Sequence, residues 1–277
     1  MIDCHTHVVS SDEARYPLHP RDLSGEWYRE GPASAEDLLR EMDASGVARA
    51  ILVQGVGAYT WKNDYAADSG LAYPARFVSA CAIDAEAEDA PATLAYWLDE
   101  RGMQGVRLFA LAREGASWLA TPATIPLFEV ARDRGAHVIV TILPHQLAEL
   151  ERVLEREPDT WISLDHCAFA LGDVEAREAL FALARFEGLH LKVSTHNLDE
   201  AEQGQGVAAL ARELVDHFGP ERLMWGSDYC QTHDRPYTEL VDLGRRAFET
   251  LPGDQAEACL SGTARRLWPG LDADGRR

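Results

Sequence analysis

Short, almost wholly apolar runs recur along the chain, each followed by a longer stretch in which apolar residues return every three or four positions. A brief apolar run bounded by turn residues reads as a strand buried on both faces, and the wider spacing reads as an amphipathic helix. The runs are residues 1–7, 48–54, 76–82, 105–109, 137–142, 161–165, 190–194 and 222–226. Helices are expected over about 63–73, 90–101, 125–134, 146–156, 174–186, 207–217 and 236–250, with a last one over 255–267. The helix after the first strand starts at Ser34, with Asp37 in the capping-box position, and stops at Gly46. Eight such units predict an α/β fold, a (β/α)8 TIM barrel, as one domain across residues 1–277. A doubly wound open sheet is the rival, but no G-x-G-x-x-G turn follows the first strand. No sequence repeat is seen at the period of the units. Residues 8–33 carry Pro, Gly, Trp27 and Tyr28 and read as a lid-like loop, while the polar tail over 272–277 reads as frayed.

In such a barrel the C-terminal strand ends surround one mouth, where catalytic groups sit. His5 and His7 share a strand face, about 6–7 Å apart, and both can reach one cation. Strand two ends in Gln54, strand four carries Arg107, and His145 lies past strand five. Strand six ends in Asp165-His166, strand seven carries Lys192 and Ser194 with His196 beyond, and strand eight runs into Gly226-Ser227-Asp228-Tyr229. His5, His7, His166 and Asp228 form a ligand set for a divalent metal with a position left for water. Each has a plainer reading. His166 suits a hydrogen-bonded core histidine, Asp228 a turn cap, and Arg107 faces either the mouth or a helix. Lys192 reads as inward and paired, with its counterion unidentified. His145, His196 and His233 are loop residues for which solvation is the default, and His19, His190 and His217 carry no signal. The joint placement at strands one, six and eight is what carries weight.

Composition narrows the partners. The 277 residues are 46% hydrophobic and 26% charged, with a formal net charge of −20. That balance excludes nucleic acid and an anionic membrane surface as general partners, yet leaves room for a small anionic substrate met by pocket arginines. No apolar run approaches the ~18 residues of a membrane span, and the chain opens into a strand rather than a leader. Five dispersed cysteines, none in C-x-x-C spacing, predict a reduced, cytoplasmic protein. Trp27, Tyr28, Tyr59 and Trp61 suit an aromatic pocket wall or a subunit contact, which leaves a homo-oligomer open.

The opening Ile-Asp-Cys-His5-Thr-His7, Leu-Asp165-His166 and Trp-Gly-Ser-Asp228-Tyr resemble the amidohydrolase superfamily. Within it they are most similar to the amidohydrolase 2 branch of pyrone-dicarboxylate and sugar-lactone lactonases, which also holds carboxymuconate-semialdehyde-type decarboxylases. Gly102-Met-Gln-Gly-Val-Arg107 resembles the lactonases' strand four, and Gly262-Thr-Ala-Arg-Arg-Leu the closing helix. The resemblance covers nearly the whole chain. It departs where lactonases follow the strand-six histidine with Gly and then Pro, since here the run is His166-Cys167-Ala168-Phe169-Ala170. The resemblance implies a mononuclear centre, zinc or manganese, because strand four lacks a lysine for a carbamate bridge. Some lactonases of the branch keep H-x-H and work without a metal.

The expected activity is hydrolysis of a small, carboxylated lactone. Asp228 takes the water's proton, and His166 ligates the metal or steadies the oxyanion. Arg107 holds the substrate carboxylate, with Lys192, Tyr229, Gln54 and His145 as further substrate contacts. The alternatives are metal-dependent, non-oxidative decarboxylation of a small carboxylated ring or unsaturated acid, and a barrel that binds a ligand without turnover.

Overall fold

A computed structural model describes residues 1–21, 23 and 25–272. Eight parallel strands pair in sequence order, β1 (Ile2–Thr6), β2 (Arg49–Val53), β3 (Phe77–Ala82), β4 (Gly105–Phe109), β5 (His137–Thr141), β6 (Ile162–Leu164), β7 (Leu189–Ser194) and β8 (Leu223–Gly226). β8 returns to β1 through a bridge between Thr6 and Tyr229, with His7 N–H donating to Tyr229 O at 2.6 Å and Asp228 N–H to His5 O at 2.8 Å. Gly226 permits this approach, because a β-carbon there would lie 2.7 Å from His5 Cβ. The result is the expected (β/α)8 barrel, nearly closed, with helices between the strands.

Strand alternation sorts side chains into two layers. Ala50, Leu52, Val106, Leu108, Val138, Val140, Leu189 and Leu191 face the helices in the main core. Ile2, Cys4, Ile51, Val53, Val78, Ala80, Ile139 and Met224 fill the barrel and meet Ala264, Leu267 and Trp268 from the closing helix. That helix plugs the N-terminal end of the barrel. Trp268 is fully buried there against the His137 ring, with centroids 5.1 Å apart.

The helix Ala35–Ser45 has the expected capping box between Ser34 and Asp37, and Gly46 stops it at φ 68°. Other boundaries moved. The closing helix is built of Gly253–Glu257, a π-turn over Ala258–Gly262, and Thr263–Leu267. The presumed loop 8–33 contains a helical turn, Trp27–Glu30, and its Asp22 and Ser24 lie outside the described residues, as does the tail beyond Asp272. A helix at Thr195–Glu202 was not expected. Its sequence offers few apolar residues, Leu198 and Ala201 among them, so the 3.6-residue pattern is faint. Its capping box pairs Ser194 with Asn197 rather than with an acid.

Candidate functional site

The mouth gathers the buried side chains of His5, His7, Arg107, Asp165, His166, Lys192 and Asp228. His7 Nδ1 lies 2.8 Å from the Val53 carbonyl. A carbonyl only accepts, so Nδ1 carries the proton and Nε2 is a bare lone pair. His5 Nδ1 is 3.1 Å from Asp165 Oδ1, which fixes the same tautomer wherever that carboxylate is ionised. Burial alone would raise the Asp165 pKa, but Lys192, His5 and Arg107 outweigh it and hold the carboxyl well below the usual range. Burial, the largest influence, pushes His5 well below the ordinary imidazole value, so its ring is neutral.

The two bare nitrogens meet a third acceptor. His5 Nε2 and His7 Nε2 stand 3.5 and 3.2 Å from Asp228 Oδ1. All three atoms are buried and have no hydrogen-bond partner. Burial works against the Asp228 charge, but the His196 hydrogen bond at Oδ2 and the surrounding histidines keep its pKa well below the ordinary value. Three buried acceptors within 4.8 Å of one another and no donor between them lack a cation. Two imidazoles and a carboxylate suit zinc or manganese, so the donor set fits a divalent metal.

His166 stands beside this set rather than within it. It groups with His5 and Asp165, its ring 4.8 Å from that of His5. Its Nδ1 pairs with Ser194 Oγ at 2.8 Å, its carbonyl accepts from Asn197 Nδ2 at 2.9 Å, and burial pushes its pKa down to about 4. The backbone that delivers it is unusual. His166, Cys167, Ala168 and Phe169 all have φ between 49° and 55°, a left-handed turn without a glycine. Each such residue costs roughly 1–2 kcal/mol, strain typical of functional sites. The turn stacks Phe169 on His166, centroids 4.9 Å apart.

The expected substrate contacts are spread more widely. Arg107 Nε binds Asp165 Oδ2 and Thr141 Oγ1, both at 2.9 Å, and Nη1 lies 3.4 Å from Gln54 O, while Nη2 makes none of these bonds. Lys192, fully buried, puts Nζ 3.1 Å from Asp165 Oδ1, the counterion that sequence left unnamed. Gln54 spends its amide nitrogen on the carbonyls of Thr60 and Lys62. Tyr229 is half-buried and packs on Tyr237, centroids 5.1 Å apart. His145 is exposed on the turn Pro144–Gln146 and hydrogen-bonds to none of these groups.

Two residues escaped sequence reasoning. Asp165 was noted only as the neighbour of His166, yet the mouth is wired through it. His196, read as a solvated loop residue, lies on the unexpected helix and reaches Asp228 Oδ2 at 3.2 Å, with its side chain still 48% exposed. That hydrogen bond, with the Asp228 charge, raises the His196 pKa above its ordinary value against the opposing effect of burial. Of the four aromatic residues, Trp61 stands apart, with the Arg21 guanidinium 5.1 Å from its ring centroid. Trp27, Tyr28 and Tyr59 are buried in one cluster with Val9, Ala33, Ala58 and Cys230, and the Trp27 ring lies 5.5 Å from that of His7.

A family model described as amidohydrolase matches residues 2–270. The chain belongs to the amidohydrolase family. An L-fucono-1,5-lactonase of Burkholderia ambifaria is 29% identical over 240 residues, covering 82% of this chain and 79% of that protein. A Pseudomonas putida protein assigned as a 2-pyrone-4,6-dicarboxylic acid hydrolase superposes with a TM-score of 0.75 at 26% identity, over 97% of each chain. The fold alone is shared with 5-carboxyvanillate decarboxylase of Sphingomonas paucimobilis, TM-score 0.71 and 16% identity over 97% of this chain and 98% of that one. An amidohydrolase from Burkholderia multivorans with bound zinc shares the same barrel, at TM-score 0.70 and 22% identity over 97% and 98% of the two chains.

Proposed function

We propose that this amidohydrolase opens a small lactone by hydrolysis at the barrel mouth. The observation that carries the reading is the set of three buried, donorless acceptors, His5 Nε2, His7 Nε2 and Asp228 Oδ1. These residues would hold one divalent ion, zinc or manganese. Such an ion, when bound, lowers the pKa of water and polarises a carbonyl.

The chain's own groups perform the proton work. Asp228, kept ionised, accepts a proton from the attacking water, whose oxygen adds to the lactone carbonyl carbon. The ring C–O bond then breaks, and the proton passes to the departing ring oxygen, which leaves as a hydroxyl. His196, on the far carboxylate oxygen, keeps Asp228 oriented. A neutral His166, its Nδ1 2.8 Å from Ser194 Oγ, would offer Nε2–H to the developing oxyanion in the tautomer that takes the Ser194 proton. Arg107 offers Nη2 to a carboxylate on the substrate, while Tyr229, Gln54 and Lys192 line or support the approach.

The lactonase relative favours ring opening over decarboxylation, the second reading on this scaffold. The partner is a small molecule; no helix among the described residues is long and apolar enough to cross a membrane, and the five buried, unpaired cysteines support a cytoplasmic setting. The test is a panel of sugar lactones, carboxylated lactones and carboxylated ring acids, read by acid release and by CO₂. Acid release from lactones without CO₂ is expected. Release of CO₂ from a ring acid, with every lactone left closed, would overturn the reading.

A further inference from the structure

Asp165 has no remaining lone pair to offer a ligand. Oδ1 receives His5 Nδ1 and Lys192 Nζ, each at 3.1 Å. Oδ2 receives Thr141 Oγ1 at 2.7 Å and Arg107 Nε at 2.9 Å. A carboxylate has about four lone-pair sites, and all are taken. The four donors come from β1, β4, β5 and β7, so the carboxylate ties one half of the barrel wall to the first strand. His5, Asp165 and His166 lie close enough to resemble a second cation site, but Lys192 already supplies the positive charge there.

We infer that Asp165 is a positioning residue for His5, with Lys192 and Arg107 as its fixed counter-cations, and that this clamp keeps His5 Nε2 bare and aimed at His7 and Asp228. The inference rests on the metal-centre reading above. A histidine ligand binds best when its other ring nitrogen donates to a carboxylate, which fixes the tautomer and the ring plane. His7 obtains the same service from the Val53 carbonyl. His5 has no carbonyl in that position and relies on Asp165. An unneutralised carboxylate there would compete for the ion. Lys192, fully buried and 3.5 Å from His5 Nδ1, removes that competition without touching the ligand nitrogen.

Two measurements on metal-free protein test this. Long-range ¹H–¹⁵N spectra of histidine-labelled protein are expected to show His5 as the Nδ1–H tautomer in the parent, and Asp165→Asn to lose that signature while His7 keeps it. Zinc titration against a chromophoric chelator is expected to give one ion per chain in the parent, and affinity 10- to 100-fold weaker in Asp165→Asn and Lys192→Met. Thr141→Val, which removes one neutral donor and keeps the ion pairs, provides a folded variant if the others are poorly soluble; its affinity should fall by a few-fold. Parent-like tautomer and affinity in all folded variants would overturn the inference and leave the metal centre standing. Absence of zinc binding by the parent would instead remove the metal reading, and the clamp with it.

Discussion

The two ends of the barrel interior are built from opposite rules. At the floor, apolar side chains from β1, β2, β3, β5 and β8 meet Trp268, whose Nε1 is a single unpartnered donor, and the buried histidines there are paired. His137 pairs with Ser163 Oγ at 2.6 Å, and His190 Nδ1 with Gly188 O at 3.0 Å. At the mouth, charged groups are equally buried, yet three acceptors face one another with no donor, and His166, Cys167, Ala168, Phe169 and Asp228 hold left-handed backbone. Burial is therefore not what separates core from site. The distinction is convergence: the floor leaves one isolated indole N–H, whereas the mouth turns three unpartnered acceptors on one point, a cost to stability unless a ligand completes them. The floor supplies stability, and the mouth spends part of it on a poised geometry.

The sharpest way to break this contrast is Asp228→Asn. Loss of the proton acceptor should lower kcat/KM for lactone opening by about 10³-fold, within the usual range for a general base. Stability should move the other way. Asparagine tolerates the left-handed φ of 60° at this position, and its amide donates to the orphaned His5 and His7 nitrogens. The melting temperature of the metal-free variant should therefore hold or rise. A variant that melts well below the metal-free parent would show that the mouth is a satisfied core like the floor.

Trp268→Ala should do the reverse. Removing a fully buried tryptophan costs about 3–5 kcal/mol in urea unfolding, whereas kcat per folded molecule should stay within about twofold because the plug lies at the far end from Asp228. Gly105→Ala sharpens the same point. Its β-carbon would meet the Trp268 ring and come within 2.8 Å of the His137 carbonyl, an overpacking worth about 1–3 kcal/mol. Loss of kcat without loss of stability in either variant would overturn the division of labour.

The same contrast governs what sequence could reveal. Strands, helices, the capping box at Ser34 and the pair His5/His7 are local patterns, written in spacings of a few residues. Asp228 was legible because it follows the last strand. Asp165 as a hub was not, since its partner His5 lies 160 residues away and no local spacing predicts which donors a barrel will bring together. The left-handed turn at His166–Phe169 was hidden for another reason: positive φ is normally announced by Gly or Asn, and His-Cys-Ala-Phe announces nothing. The departure from Gly and Pro after the strand-six histidine marks the place without giving its shape. His196 went unseen because its helix is too polar to show a 3.6-residue stripe.

The finest test uses a floor histidine to separate stability from activity as pH falls. His190 donates from Nδ1 to Gly188 O and accepts at Nε2 from Arg266 Nη2, 3.3 Å away, a pattern only the neutral ring can make. Burial, aided by Arg266 and opposed by the Gly188 hydrogen bond, pushes its pKa down to about 4. The unfolded chain binds this proton near pH 6.5, so between about 6.5 and 4 it holds more protons than the folded one. Stability from His190 is present above pH 6.5 and lost as pH falls towards 4, a total of about 3 kcal/mol. His190→Gln should flatten the unfolding free energy across that window while leaving the activity–pH profile of the folded enzyme unchanged. A variant that keeps the parent's slope would assign the acid sensitivity to the mouth, where neutral His5 and His166 face the same loss on protonation.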